Sequence, residues 1–298
     1  MSGKNKPGLF RFADKQLDLQ RPRVMGVLNM TPDSFSDGGE LLQGKSVLLD
    51  KALARAQAMV MEGASIIDVG GESTRPGAAQ VSSQEEIDRV LPVVEAIHRE
   101  LDTIISVDTS NPELVSLCTA SGVGLINDVR ALQREGALEA LAQSSLPVCL
   151  MHMQGQPDTM QKAPAYNDIM QELTDFLSAR VQDCENAGIN RDRIILDPGF
   201  GFGKTLQHNL VILSRLDELL ALKLPLLIGL SRKTMIGTLT GKDPKERMAG
   251  SLAAAVAGVM KGASIVRTHD VAVTVDALNV CAALSQSLMQ DAASRAGN

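Results

Sequence analysis

The heptapeptide Met61-Glu-Gly-Ala-Ser-Ile-Ile67 recurs near the far end of the chain as Met260-Lys-Gly-Ala-Ser-Ile-Val266. In each copy, a stretch with helical spacing of apolar residues ends at a glycine, and an apolar run begins two residues later. A glycine at this position supplies the left-handed residue that closes a helix before a tight turn. The two copies therefore predict the same helix-to-strand junction twice, as expected of repeated βα units.

Eight short apolar runs, rich in Val, Ile and Leu, extend this alternation along the 298 residues. They are Val24–Asn29, Ser65–Gly70, Thr103–Thr109, Leu125–Val129, Pro147–Met153, Ile194–Pro198, Pro225–Leu230 and Ile265–His269. Such runs are typical of parallel strands buried on both faces. Stretches of helical period lie between them, at Ser46–Glu62, Gln84–Glu100, Asp168–Ala187, Leu206–Leu220 and Lys245–Lys261. Eight βα units favour an α/β fold of the closed (β/α)8 TIM-barrel type over a doubly wound sheet.

The segment Gly8–Leu19 alternates apolar and polar residues around Asp14-Lys15, which predicts a β-hairpin that closes the bottom of the barrel. Neither a linker nor a low-complexity tract interrupts the sequence. We therefore expect one domain over residues 1–298, with flexible ends at about 1–7 and 290–298. Long connections follow the first, second and fifth strands, and long loops at the top of a barrel are usually functional.

Composition limits the partners. The net charge of −6 argues against a broad grip on nucleic acid or on an anionic membrane, so we expect small-molecule substrates. The polar N-terminus lacks the apolar core of a signal peptide, and no run approaches 18 apolar residues, which predicts a cytoplasmic protein. Four cysteines without a C-x-x-C motif are expected to be buried free thiols.

Polar residues crowd the C-terminal ends of the predicted strands, where a barrel carries its active site. They include Asn29, Asp108, Asn127, Asp197, Lys233, Arg267 and His269. Because unpaired buried charge is costly, the set predicts one site for a small anionic substrate.

Some neighbouring residues have an equally good structural explanation. Asp128 and Thr109 each fit a helix N-cap about as well as a site role. Asp68 lies inside a strand, where a structural hydrogen bond is an equal alternative. Asp270 is expected to cap the last helix.

The segment Gly199-Phe-Gly-Phe-Gly-Lys-Thr205 resembles a phosphate-binding P-loop, but Pro198 stands where that motif requires its first glycine. We expect the glycines to let the backbone approach a flat ligand instead. Phe200 and Phe202 are each as well suited to stacking on that ligand as to packing in the core.

Arg267 and His269 are two residues apart on the last strand and so share a face. Barrels often bind phosphate near their last strands, and both side chains offer donors. Asn29 carries a neutral oxygen suited to a Mg²⁺ ion that keeps water and phosphate oxygens as its other ligands.

Two segments are similar to signatures of the dihydropteroate synthases. They are Gly26-Val-Leu-Asn-Met-Thr-Pro-Asp-Ser-Phe-Ser-Asp-Gly-Gly39 and Ile67-Asp-Val-Gly-Gly-Glu-Ser-Thr-Arg-Pro-Gly77. Further matches are Ile105-Ser-Val-Asp-Thr109, Ile126-Asn-Asp128, Leu150-Met-His-Met153, Asp197-Pro-Gly-Phe-Gly-Phe-Gly-Lys204 and Ser231-Arg-Lys233. The resemblance spans Val24 to Val275, and the two loop signatures together are highly specific.

The resemblance implies a transferase of folate biosynthesis in a (β/α)8 barrel. The family joins 6-hydroxymethyl-7,8-dihydropterin diphosphate to p-aminobenzoate, giving 7,8-dihydropteroate and diphosphate, and is the target of sulfonamides. The residues implied to bind the pterin are Asp108, Asn127, Met151, Asp197, Phe202 and Lys233. Those implied to be catalytic are Asp108, Asp197, Lys233 and Arg267.

The resemblance also assigns the other half of the site. The residues implied to hold the diphosphate are Asn29, Thr74, Arg267 and His269, with Mg²⁺ at Asn29. Those implied for p-aminobenzoate are Arg75, Pro76, Lys233 and Thr234. Loops 31–39 and 71–77 are implied to help build this pocket and to close over the diphosphate. Thr234 replaces a more frequent Ser but keeps the hydroxyl. The family suggests a homodimer formed through helices such as Lys245–Lys261.

Three other functions compete with this interpretation. A corrinoid-linked methyltransferase would share the pterin residues but would lack the two loop signatures. An aldolase or lyase barrel could use Lys233 as a Schiff base, but Asn127 and Asp197 would then have no task. A non-catalytic barrel would leave the charged mouth unexplained.

Overall fold

The computed structural model describes residues 8–30, 45–72, 81–155, 160–161 and 163–296. The first two strands, β1 (Leu9–Phe12) and β2 (Lys15–Asp18), pair in antiparallel fashion. The predicted N-terminal hairpin is therefore confirmed.

Eight further strands form one parallel sheet. Their bounds are β3 Arg23–Asn29, β4 Ile66–Gly70, β5 Ile104–Asp108, β6 Leu125–Asp128, β7 Val148–Met151, β8 Ile194–Asp197, β9 Leu227–Gly229 and β10 Ile265–Thr268. Their order is β8-β7-β6-β5-β4-β3-β10-β9. A parallel bridge between Leu196 and Leu226 joins the two outer strands. The sheet is thus a barrel, and each strand lies within the run that predicted it or extends one residue before it.

Helices alternate with these strands. Their bounds are α1 Lys45–Met61, α2 Ser83–Glu100, α3 Pro112–Cys118, α4 Ala137–Ala142, α5 Ile169–Asn186, α6 Leu206–Ser214, α7 Thr234–Thr240, α8 Met248–Met260 and α9 Val271–Ala296. Two predicted helices were wrong in part. The stretch 206–220 breaks at Arg215, whose φ of −116° and ψ of 19° are not helical, and continues as a 3₁₀ turn. Similarly, a 3₁₀ turn at Pro244–Glu246 precedes α8.

The repeated heptapeptide forms the same junction twice. Gly63 and Gly262 both have a φ of 98°, which a side chain would disfavour. In each copy the N–H after the glycine reaches back to a helical carbonyl, from Ala64 to Met59 at 2.9 Å and from Ala263 to Gly258 at 3.0 Å. Matching hydrogen bonds confirm that the two segments are equivalent βα junctions.

The lower interior of the barrel is apolar. One residue from each strand joins Phe10 and Phe12 of the hairpin in a single cluster, namely Met25, Ile66, Ile104, Leu125, Cys149, Ile195, Leu227 and Ile265. Phe12 is fully buried. Because the hairpin plugs this end, a ligand can enter only from the opposite end, where the strands terminate.

A second apolar cluster lies between the barrel and its helices. The four cysteines are buried and free, as predicted. Within the described ranges, no helix combines the length and the hydropathy that crossing a bilayer requires.

Candidate active site

The floor of the site is the next level of the barrel interior. Successive inward-facing residues lie two apart on a strand. Two residues beyond the apolar plug, the strands carry Val27, Asp68, Ser106, Asn127, Met151, Asp197, Gly229 and Arg267. Aliphatic residues thus give way to carboxylates, an amide and a guanidinium over one strand period. The candidate site therefore lies directly above the apolar core of the barrel.

An ion pair between Asp68 on β4 and Arg267 on β10 spans β3, the strand that lies between them. The Nε of Arg267 donates to Oδ2 of Asp68 at 2.6 Å, and its Nη2 donates to Oδ2 of Asp108 at 2.9 Å. The same Asp68 oxygen accepts from Nδ2 of Asn127 at 3.2 Å. One guanidinium is therefore shared by two carboxylates, which leaves a net negative charge in a mostly buried cluster.

Burial and these neighbours shift the pKa values. Burial raises the pKa of Asp108 to about 7, although Arg267 opposes that shift. For Arg267, burial acts to lower the pKa, but the charges of Asp68 and Asp108 outweigh it and raise the pKa. Arg267 is therefore a permanent cation, while Asp108 titrates near neutral pH.

A second ionic group lies across the floor. Asp197 is buried, and its Oδ1 accepts the N–H of Gly199 at 2.7 Å. Burial raises the pKa of Asp197 and lowers that of Lys233 to about 8, while each charge partly offsets the shift of the other. The Nζ of Lys233 lies 4.0 Å from the centroid of the Phe202 ring. Lys233 thus contacts an aromatic face and feels the charge of Asp197.

The glycine-rich loop after β8 is held by one buried lysine. Nζ of Lys204 donates to the carbonyls of His152, Gly199 and Phe202 at 3.2, 2.9 and 3.0 Å, and lies 2.9 Å from Nδ1 of His152. A Cβ on Gly199 would lie 1.9 Å from the His152 carbonyl oxygen, so only glycine fits there. Lys204 therefore holds the loop rather than a phosphate, consistent with rejection of the P-loop.

The rim is set by the loops after β9 and β10. The Nδ1 of His269 lies 3.0 Å from Oγ of Ser231. The guanidinium of Arg232 pairs with the carboxylate of Asp270. These two contacts couple the loop that carries Lys233 to the strand end that carries His269.

Comparison with known proteins places this geometry in a family. Residues 25–269 match the pterin binding enzyme family. The chain is 54% identical over 264 residues to dihydropteroate synthase of Escherichia coli strain K12, covering 89% of this chain and 92% of that protein. It is 51% identical over 267 residues to dihydropteroate synthase of Haemophilus influenzae, covering 90% and 95%. The chain belongs to the dihydropteroate synthases.

Solved structures agree. A crystal structure of Yersinia pestis dihydropteroate synthase with a sulfonamide drug superposes with a TM-score of 0.88 at 51% identity, covering 93% of this chain and 99% of that one. The Xanthomonas albilineans dihydropteroate synthase with 4-aminobenzoic acid gives a TM-score of 0.87 at 46% identity, covering 94% and 99%. These matches favour the synthase over the other functions considered from the sequence.

The structure brings most of the implied dihydropteroate synthase residues to one mouth. Those on the floor or directly above it are Asp108, Asn127, Met151, Asp197, Phe202, Lys233 and Arg267. Asn29 and His269 lie at the partly exposed rim, and Thr234 is exposed at the start of α7. Thr74, Arg75 and Pro76 lie outside the described residues, as do all of loop 31–39 and most of loop 71–77.

The sequence left Asp128 and Thr109 between a structural role and a role in the site. Asp128 accepts the N–H groups of Arg130 and Leu132, both at 2.8 Å, so it supports the turn after β6. Thr109 donates to Glu86 and accepts from the backbone of Asn111, which itself caps α3. Both therefore follow the structural interpretation, although neither is a helix N-cap.

Other assignments change or sharpen. Asp270 directs its carboxylate to Arg232, and only its backbone carbonyl serves the first turn of α9. Phe200 is buried in the core, whereas Phe202 is partly exposed beneath Lys233, so only Phe202 is suited to stacking on a ligand. Lys204 was missed as a loop-holding residue. The sequence feature that could have indicated this role is a single lysine in the otherwise apolar, glycine-rich loop after β8.

Proposed function

We propose that this chain condenses 6-hydroxymethyl-7,8-dihydropterin diphosphate with p-aminobenzoate, giving 7,8-dihydropteroate and diphosphate. One observation carries the proposal. Hydrogen-bonding side chains of Asp108, Asn127, Asp197 and Lys233 lie at the C-terminal mouth of the barrel in a chain whose relatives at 54% identity are dihydropteroate synthases. A pterin edge alternates N–H donors with acceptors, which this set complements.

The pterin would bind above this floor, at the C-terminal mouth of the barrel. Carboxylates of Asp108 and Asp197 accept from ring and amino N–H groups, and Lys233 donates to the ring carbonyl. Met151 is buried at the end of β7, and Phe202 lies beneath the Lys233 ammonium. These two side chains would contact the faces of the heterocycle.

The diphosphate half would use the rim. Arg267 has five N–H donors, and the contacts described above occupy two of them, so donors remain for phosphate oxygens. We assign His269, Asn29 and Thr74 to the same group. No set of three or more His, Cys, Asp or Glu side chains suited to a metal occurs among the described residues. We propose that Asn29 contributes its side-chain oxygen to a Mg²⁺ ion held mainly by diphosphate and water, which would neutralise charge on the leaving group.

The p-aminobenzoate pocket would lie outside the floor. Thr234 is exposed beside Lys233 at the start of α7. We assign Arg75 and Pro76 to the same pocket. Support comes from the Xanthomonas albilineans structure, which holds 4-aminobenzoic acid. The Yersinia pestis structure holds a sulfonamide drug, and we propose that this chain also binds sulfonamides.

The chemistry follows from where charge develops. We propose that the C–O bond to diphosphate breaks first and that the amine then attacks the exocyclic methylene. Asp108 and Asp197 stabilise positive charge spread over the dihydropterin, while Arg267 and His269 stabilise the departing diphosphate. The aryl amine is weakly basic, so water or released diphosphate takes its proton. We propose that loops 31–39 and 71–77 exclude water that competes for the methylene.

Two further proposals concern the whole molecule. We propose a homodimer through the region of α8, where Met248 and Met260 are 46% and 53% exposed. Exposed methionines of this kind suit a protein interface. We also propose that the enzyme works in the cytoplasm, where reduced thiols such as Cys118 persist.

A direct assay tests the activity. Purified protein is incubated with pterin diphosphate, p-aminobenzoate and Mg²⁺, and released diphosphate and formed dihydropteroate are quantified. We expect both products in equal amounts and only when both substrates are present. Diphosphate release without p-aminobenzoate at the same rate would contradict a synthase.

A further inference from the structure

Asp68 belongs to the floor of the site, but it has no role in the chemistry described above. It lies in the middle of β4, which pairs with β3 and β5, and its side chain is fully buried. Yet its carboxylate reaches Asn127 on β6 and Arg267 on β10. Neither of those strands pairs with β4. Asp68 therefore connects β6 and β10 through side-chain hydrogen bonds that the sheet does not provide.

The chemistry of a carboxylate fixes one orientation of Asn127. An ionised carboxylate accepts hydrogen bonds and donates none. Only the NH₂ end of the Asn127 amide can therefore face Asp68, which matches the 3.2 Å contact from Nδ2 to Oδ2. The carbonyl Oδ1 is turned away from Asp68. The amide thus presents an acceptor to whatever occupies the site.

The same carboxylate fixes Arg267. Asp68 takes the Nε–H at 2.6 Å, and Asp108 takes an Nη2–H at 2.9 Å. Two acceptors on neighbouring strands hold the guanidinium plane in one orientation. Nη1 makes no hydrogen bond to the described residues, so it stays available at the mouth.

Ser106 serves as a control residue for Asp68. Ser106 is the Cα partner of Asp68 on β5 and is also fully buried. Oγ of Ser106 and Oδ1 of Asp68 lack hydrogen-bond partners among the described residues. Ser106 therefore shares the burial and level of Asp68 but contacts neither Asn127 nor Arg267 through a hydrogen bond.

We propose that Asp68 is a positioning residue that sets the hydrogen-bond polarity of the pterin site, by turning the Asn127 carbonyl toward the heterocycle and holding Arg267 against Asp108. The inference rests on the proposed function, since it specifies how that site distinguishes N–H groups from acceptors on the pterin. Asp68 is a positioning residue and not a catalytic one, because it would act through its hydrogen bonds to Asn127 and Arg267.

The variant Asp68→Asn tests the proposal. An amide can donate as well as accept, so Asn127 loses its enforced orientation, and Arg267 loses one of its two anionic partners. We expect the KM for the pterin diphosphate to rise roughly 10- to 100-fold, as for loss of charge-assisted hydrogen bonds. The KM for p-aminobenzoate should change less than threefold, about 0.6 kcal/mol or less. Ser106→Ala should behave like the wild type in both.

A pH profile separates positioning from a merely structural effect. The charged groups that face Asp108 are Arg267 on β10, Asp68 on β4, Asp128 on β6 and Glu86 on α2. Removing the Asp68 charge eliminates one anion and leaves Arg267 to Asp108 alone. Both changes favour ionised Asp108. The acidic limb of kcat/KM for the pterin substrate should therefore move to lower pH in Asp68→Asn and stay in place in Ser106→Ala.

Binding of 6-hydroxymethyl-7,8-dihydropterin, measured by calorimetry, needs no turnover. It keeps the two proposals distinguishable. A wild type that binds this pterin but makes no dihydropteroate contradicts the proposed function alone. Asp68→Asn with wild-type pterin affinity and an unmoved acidic limb overturns the positioning role, as do equal losses for both substrates. Should Asp68→Asn fail to fold, Asp68→Ser takes its place in the same measurements.

Discussion

The Nζ atom of Lys233 lies 4.0 Å from the centroid of the Phe202 ring, in direct contact with its face. The two residues come from different loops, after β9 and β8, and each is partly exposed to the mouth. A Cβ on Gly201 would lie 3.2 Å from Cδ of Lys233, so the glycine leaves the room for this approach. The glycine-rich loop therefore presents an aromatic face to a cation, and both border the place assigned to the pterin.

Replacing Phe202 by Leu should weaken pterin binding without unfolding the protein. The change removes a cation–π contact and a stacking face, together worth about 1–2 kcal/mol, so Kd should rise roughly 5- to 30-fold. Calorimetry with 6-hydroxymethyl-7,8-dihydropterin measures this. Phe200→Leu is the matched control, because Phe200 is buried in the core. It should lower the Tm with little effect on Kd, and the reverse pattern would contradict the assignment.

Pterin binding should weaken as the pH falls below neutrality. Burial raises the pKa of Asp108 to about 7, and only its ionised form accepts two N–H groups. The proton must therefore leave for binding, and the affinity should fall about tenfold per pH unit well below that pKa. Titrations between pH 5 and 8.5 test this. In Asp108→Asn this dependence should be absent, and an identical slope in that variant would exclude Asp108 as its source.

Lys204→Met should destabilise the glycine-rich loop. The substitution leaves the carbonyls of His152, Gly199 and Phe202 without their shared donor. Gly199 keeps the bond that its carbonyl accepts from the N–H of Phe202 at 3.1 Å, and each buried carbonyl left unpaired costs about 1–3 kcal/mol. We expect a loss of several kcal/mol in the free energy of unfolding, measured with urea. Lys261→Met removes only an exposed pair with Asp217 and should stay within about 0.5 kcal/mol of the wild type.

The pH dependence of stability gives a second check on Lys204. Burial lowers its pKa from 10.5 to about 7 in the folded protein. The unfolded state then binds more protons between those values, so this residue makes stability rise as the pH increases from about 7 toward 10.5. The increment should vanish in Lys204→Met. An unchanged pH dependence would mean that Lys204 stays charged throughout this range.

Much of the fold could be predicted from the sequence because its signals are local. Apolar runs found all eight strands, and the repeated heptapeptide found two junctions that share their φ and hydrogen bonds. The break of α6 at Arg215 was missed, since helical spacing of apolar residues continues through it. Spacing reports which face is buried, and it does not report whether the backbone stays α-helical.

The site was less predictable because its pairing is between distant residues. Strand-end position correctly collected Asp108, Asn127, Asp197 and Arg267 at one mouth. Whether Asp68 was structural or part of the site depended on its contact with Arg267, 199 positions away in sequence. No single sequence shows such a pairing. The same holds for Lys204, whose partners include His152, 52 positions earlier.

Under the proposed function, the mouth divides into a region for the heterocycle and a region for the diphosphate. Arg267 touches both through Asp108, so Arg267→Ala should weaken both pterin forms, with the larger loss for the diphosphate. His269 at the rim offers the cleaner test. The decisive measurement is calorimetric affinity of His269→Ala and Asp197→Asn for 6-hydroxymethyl-7,8-dihydropterin with and without its diphosphate. We predict that His269→Ala weakens only the diphosphate form and that Asp197→Asn weakens both alike. Equal losses for the two forms in His269→Ala would contradict the division.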